Sequence, residues 1–209
     1  MPTFACVLKL GGDYKPEHVV ALASQVRKNS TIDYQFICYT DCIEYMPRVR
    51  SLSLENKWPG WWSVPEVFRN IGPTVVVGVD TIITGNITDL FRLAIDCGKD
   101  DFFMIRSFRQ PYRTISGIMV WNGDWSWLYK EFDYEKISKQ LRGEEDYTVA
   151  KLKERGIQPK LIQDHFQGVY SWKRNCQKGI PDDCKVLVFH GHPRPFEVPE
   201  LWEKYKEEY

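Results

Sequence analysis

The sequence predicts an α/β protein: one domain over residues 1–209, with a mixed, mostly parallel central sheet flanked by helices. Three observations carry that prediction. Residues 74–79, TVVVGV, form an apolar, β-branched run without alternation, which is the pattern of a strand buried on both faces of a parallel sheet. Residues 4–28 read as strand, glycine loop and helix, the unit from which such sheets are built. Two strands run into an acid, Asp41 and Asp80, and in open α/β sheets the ligand crevice lies outside the carboxyl ends of the strands.

The first strand covers 4–10 and passes through Gly11-Gly12-Asp13 into a helix over 16–28. Pro16 suits a first helical turn, and Val19, Val20, Leu22, Ala23 and Val26 recur at helical spacing. The glycine pair lets backbone approach a ligand at the strand end, with Lys9 placed for a phosphate and Tyr14 as a stacking ring or a rim aromatic. A second strand, 34–39, ends in Thr40-Asp41, and a short strand follows over 47–54. Trp58, Trp61 and Trp62 around Pro59-Gly60 then read as a rigid loop rather than a regular element. The run 74–79 leads to Asp80. A buried carboxylate is costly without a partner, so Asp80 calls for a cation, a metal or hydrogen-bond donors. A second β-rich run, a Gly85-Asn86 turn and a helix capped by Thr88 or Asp89 come next.

Residues 101–108 read as a strand, 109–113 as a polar loop and 115–121 as a strand carrying Ser116 and Gly117. Helices are expected over 124–132 and 134–141, then an acid-rich helix start at Glu144 and Glu145. The strand 185–189 runs straight into His190-Gly191-His192-Pro193-Arg194. A neutral imidazole there is a good Mn²⁺ ligand, and Arg194 is a permanent cation with phosphate-matching geometry. The tail, 200–209, is a charged amphipathic segment expected to cover the sheet.

Composition narrows the function. The 28 basic and 28 acidic residues cancel, so no global field recruits nucleic acid or anionic membrane. Six cysteines without a CxxC pair predict reduced thiols, and no GxGxxG fingerprint marks a dinucleotide site. The apolar part of the N-terminus is short for a signal sequence, and no run approaches the roughly 18 apolar residues of a membrane span. The expectation is a soluble, cytoplasmic protein.

Residues 78–91, GVDTIITGNITDLF, resemble the DxD region of GT-A-type glycosyltransferases, which usually reads DLDTVIVGDLDDLF. Gly78 stands where the first acid would be. Thr40-Asp41 matches the family habit YTD. Residues 58–63 resemble the WPGWWSK segment of a bacterial and phage group of glycosyltransferases, with Val64 in place of its Lys. Residues 115–121 resemble NSGVMVW, with Ile115 in place of Asn. Residues 142–149 fall where the family writes GDQ, and 168–173 resemble its vvSYK strand, ending in Lys173. Residues 190–196 resemble the C-terminal HxxGxxKPW element of the glycogenin-like and lipopolysaccharide galactosyltransferase group, with His190 next to Gly191, Arg194 for the Lys and Phe196 for the Trp.

The resemblance implies a single GT-A, Rossmann-like domain that moves a sugar from a nucleotide sugar to a glycan, protein or small-molecule acceptor. The implied donor is a UDP-linked hexose or uronic acid. Mn²⁺ or Mg²⁺ would be held by Asp80 and His190, and the donor by Leu8, Lys9, Gly11, Tyr14, Thr40, Asp41, Val79, Asp80, Ser116, Gly117, Lys173, His190, Gly191 and Arg194. Glu144 and Glu145 would face the sugar, or form only a solvated helix start. The His motif leans toward a retaining reaction; an inverting one would draw its base from Glu144, Glu145 or Asp164. Gly78, Val64 and Ile115 equally suit a binding protein that kept the fold and lost the chemistry. The tryptophan cluster, if exposed, would suit an adaptor.

Overall fold

The computed structural model describes residues 1–42 and 44–206. The chain opens with β1 (Thr3–Leu8), α1 (Pro16–Lys28), β2 (Gln35–Thr40) and β3 (Arg50–Ser53). It continues through β4 (Thr74–Val77), β5 (Thr81–Ile83), α2 (Thr88–Asp96), β6 (Phe102–Arg106) and β7 (Thr114–Trp121). The short helices α3 (Trp127–Lys130) and α4 (Tyr134–Ile137) precede α5 (Glu144–Glu154). The chain then forms β8 (Lys160–Leu161), β9 (Val169–Ser171), α6 (Trp172–Asn175), β10 (Val186–Val188) and α7 (Pro199–Tyr205).

A seven-stranded sheet in the order β3-β2-β1-β4-β7-β6-β8 forms the centre. Only β7 runs against its neighbours, so the sheet is mostly parallel, as expected. Side chains alternate across its pleat. Phe4, Cys6, Leu8, Val75 and Val77 pack on the face covered by α1 and α2, while Ala5, Ile37, Tyr39, Val76 and Met119 pack with Phe68, Leu128, Tyr147 and Leu152 on the other. Both faces are dry, which is why residues 74–77 show no polar alternation.

A second sheet, β5-β10-β9, positions the crevice. After Val77 the chain turns through Gly78-Val79-Asp80, leaves the large sheet and pairs antiparallel with β10, Thr81 opposite Val188. Phe189 N–H donates to the Asp80 carbonyl at 2.9 Å. This pairing brings the end of one strand beside the end of another that is distant in sequence.

Several elements differ from expectation. The tryptophan segment is a 3-10 helix, Gly60–Arg69, with Pro65 inside it denying the regular α-helical ladder a donor. The helix expected over 124–132 shrinks to α3, because Asp124 Oδ1 accepts from Ser126 N–H at 2.8 Å in a turn. The one expected over 134–141 ends at Ile137, and Lys173 lies on the helical turn α6 rather than on a strand. In the tail, α7 covers the small sheet rather than the large one: Val198 and Leu201 pack with Ile82, Leu187 and Phe189. Residues 207–209 of that segment lie outside the described residues. All six cysteines are free thiols. Among the described residues no helix is long and apolar enough to cross a membrane.

Candidate functional site

A cavity of about 250 Å³ opens where the two sheets meet. Its lining includes Val7, Trp61, Val64, Gly78, Asp80, Ile115, Ser116, Gly117, Glu144, Glu145 and His190. A larger groove of about 830 Å³ lies at the other strand ends, between Arg27 of α1, Tyr34 and Arg48. It gathers no imidazole or carboxylate pair, so the smaller cavity is the chemically equipped one.

Asp80 is half-buried where β4 turns into β5. Burial pushes its carboxyl up to about 6, partly offset by the nearby Arg194 charge. No hydrogen bond from another side chain reaches it among the described residues. Gly78 has a steric role: a Cβ built there would fall on Asp80 Oδ1, closer than real Cβ contacts come. The space where a first acid would begin is taken by the second acid's carboxylate. Val79 is buried, and Gly78 N–H is held by the Gly117 carbonyl at 3.1 Å, fixing the turn against β7.

His190 emerges from β10 two residues beyond Val188. Its Nε2 lies 2.7 Å from Ser171 Oγ, and its ring stacks on Phe108 at 6.2 Å. Burial, then the charges of Lys173 and Arg174, lower its pKa, so the imidazole is neutral at pH 7. Lys173 Nζ donates to the His190 carbonyl. Gly191 has φ +73°, a left-handed conformation, and a Cβ there would stand 3.2 Å from Lys173 Nζ. Glycine satisfies both demands.

Arg194 is held by Asp13, Nε to Oδ2 at 3.0 Å and Nη2 to Oδ2 at 2.9 Å, and lies 5.3 Å over the Tyr14 ring. Among the described residues Tyr14 Oη is buried without a hydrogen-bond partner, and its pKa is raised by burial first and then by Asp80. The glycine loop thus meets the C-terminal loop at this rim. Leu8 pairs with Thr40 in register, and the residues beyond them also meet. Lys9 Nζ binds Asp41 Oδ2 at 2.7 Å, and Leu10 N–H donates to Asp41 Oδ1 at 2.9 Å. These bonds outweigh burial and lower the Asp41 pKa. Thr40 Oγ1 accepts from Cys42 N–H at 2.9 Å, and Gly11 takes φ +94° in the adjoining turn.

The opposite wall comes from β7 and the start of α5. Glu144 is 7% exposed; Ser116 Oγ donates to its Oε1 at 2.5 Å and Glu145 N–H to its Oε2 at 2.6 Å. Burial pushes Glu144 up to about 7 against the pull of the Ser116 bond. Glu145 is raised by burial and by Asp146, with Arg113 opposing. A Cβ at Gly117 would meet Cδ1 of Ile105, a side chain of the neighbouring strand β6, at 3.3 Å. The reading of Glu144 as a solvated helix start does not hold, because its carboxyl is inside.

The structure therefore gathers Asp80, Ser116, Gly117, Glu144, Glu145 and His190 around one cavity. It sets Lys9, Gly11, Tyr14, Asp41, Lys173, Gly191 and Arg194 in the surrounding loops and rim. Asp164 is not in the lining; it is an exposed carboxylate 3.1 Å from Arg106 Nη2. Among the described residues, no group of three or more His, Cys, Asp or Glu gathers as a metal cluster. Ser171 and Phe108, which fix the His190 ring, carried no signal in the sequence as its partners, since both contacts are non-local.

No family model matches the chain, and no curated protein matches it. Solved structures do. The glycosyltransferase GlyE of Streptococcus pneumoniae superposes with a TM-score of 0.68 at 14% identity, covering 100% of this chain and 60% of that one. The galactosyltransferase LgtC, solved with donor and acceptor sugar analogs, gives 0.67 at 11% identity, covering 97% and 93%. The bifunctional WbbM gives 0.61 at 10%, covering 93% and 46%. This chain thus spans about 60% of the GlyE chain, and it has the GT-A fold of these enzymes.

Proposed function

We propose that this protein is a glycosyltransferase that takes a sugar from a UDP-linked hexose or uronic acid. The observation that carries the proposal is the shared cavity. Asp80 at the β4 end, His190 at the β10 end and the Ser116–Glu144 pair face one space, in a sheet superposable on GlyE and LgtC.

Asp80 and His190 fit a hard divalent cation as a two-donor set. A carboxylate raised to about 6 and lacking side-chain donors is starved of positive charge, and the imidazole is neutral. In the tautomer in which Ser171 accepts from Nε2–H, the Nδ1 lone pair is left to ligate. Asp80 and His190 would hold Mn²⁺ or Mg²⁺, which would supply neutralisation of the departing diphosphate. Arg194 and Lys173 add fixed cations at the same rim, where charge develops as the glycosyl bond breaks. Glu144 holds the Ser116 hydroxyl in place under the sugar subsite. Lys9 and Asp41 brace the loop that would receive the nucleoside, with Tyr14 beside them.

The C-terminal His motif favours retention, in which the leaving phosphate takes the acceptor proton and no protein base is needed. Glu145 is the base available to an inverting course. The test is a panel of UDP-, GDP- and CMP-sugars with Mn²⁺ and then EDTA, following binding and nucleotide release. One UDP-sugar that binds and releases UDP only with metal supports the proposal. No binding in either condition overturns it, and the chain is then a binder of something else on this fold.

A further inference from the structure

We infer that Trp61 is the stacking platform of an acceptor subsite for a neutral pyranose; this rests on the glycosyl-transfer reading above and assigns its second substrate. Three observations converge. The tryptophans of the 58–62 motif divide: Trp58 packs edge-on against Phe132 at 4.7 Å, Trp62 packs between Phe132 and Tyr134, and Trp61 is 64% exposed. An exposed indole is amphipathic area withheld from the core, with no folding benefit to explain it.

The backbone that carries the exposed ring is also braced. Glu66, fully buried further along the same helix, accepts from Glu55 N–H, Asn56 N–H and Asn56 Nδ2 at 2.9–3.1 Å and pairs with Arg69 at 2.7 Å. Ser63 Oγ donates to the Trp58 carbonyl at 2.7 Å. The backbone carrying Trp61 is therefore braced on both sides, and a pre-organised backbone lowers the entropy lost on binding.

Finally, Trp61 lines the same cavity as Asp80 and the acids of α5. Its indole Nε1 would lie 3.8 Å from a Cβ at Gly143, so the ring leans over the residue that precedes Glu144 and Glu145. An aromatic face beside carboxylate oxygens recognises a pyranose: the ring takes the C–H face and Glu145 accepts from a hydroxyl. Glu145 and Asp146, which share Arg113, disfavour a carboxylated sugar. The acceptor ring is therefore uncharged.

The experiment is saturation-transfer NMR on the whole protein with methyl α- and β-glucoside, methyl α- and β-galactoside and methyl glucuronide. The expected result is transfer to ring protons of one neutral glycoside, about tenfold weaker binding in Trp61→Ala, retention in Trp61→Phe, and little transfer to the glucuronide. Thermal melting of each variant, with an exposed side chain changed, checks that it is folded. Equal binding by wild type and Trp61→Ala, or no transfer from any neutral glycoside, overturns the inference. UDP release by the wild type from UDP-sugar is measured alongside. Its absence strikes the glycosyl-transfer reading itself, whereas its presence with an unchanged Trp61→Ala strikes only the platform.

Discussion

Asp80 and Glu144 are two carboxyls on opposite walls of one cavity, and burial raises both, to about 6 and about 7. Their partners differ. Glu144 takes the Ser116 hydroxyl and a backbone N–H, while Asp80, among the described residues, takes no side-chain donor and is offset by the Arg194 charge and its own backbone N–H. The same desolvation thus acts on a group that fixes a strand to a helix and on one that keeps its side chain free for a positive ligand. A cavity-facing carboxylate without a side-chain donor is the stronger pointer to chemistry.

That contrast sets the order of predicted effects. Asp80→Ala should lower metal-dependent UDP release by about 100-fold or more, the scale of losing a principal charge-stabilising group; equal activity in the variant would erase the distinction drawn above. EDTA should likewise abolish UDP-sugar binding seen with Mn²⁺. Because protons and metal compete for Asp80, Mn²⁺-dependent binding should weaken as pH falls below about 6, as titration calorimetry would show.

Gly78→Ala should sharpen the comparison further. Its Cβ displaces the Asp80 carboxylate, a flexible end that can swing aside, so stability should change by less than about 1 kcal/mol. UDP release should nonetheless fall about tenfold, the cost of a misplaced catalytic group. Gly78→Asp, which restores the motif's usual letters, should impair the site rather than rescue it.

Glu144 should show its effect in stability. Its folded-state pKa, about 7, lies above the ordinary 4.5, so the folded form holds more protons across that window. Stability is then greatest below about pH 4.5 for this group and is lost as pH rises through 7, by roughly 3 kcal/mol at most. Glu144→Gln should flatten that slope in melting temperatures recorded from pH 4.5 to 7.5. A slope unchanged by the substitution would place the titrating group elsewhere.

What the sequence determined by itself were local properties. The unbroken apolar run at 74–77, the glycine loop before α1, and the acids that follow β2 and β4 follow from burial period and turn chemistry, and the observed strands and helix sit close to them. The resemblance around 78–91 pointed to Asp80, which lies in the lining of the cavity. Tertiary structure decided the rest. Asp80 and His190 become neighbours only because β5 pairs with β10, a register between distant segments that no local pattern carries. Trp58, Trp61 and Trp62 are equal in the sequence, and packing against Phe132 and Tyr134 separates them. Gly78 reads as a missing acid until the fold shows the Asp80 carboxylate in its place, and Glu144 reads as a solvated helix start until Ser116 from β7 closes over it. Periodicity reports which face of a segment is buried; which far-off side chain meets that face depends on how the segments assemble.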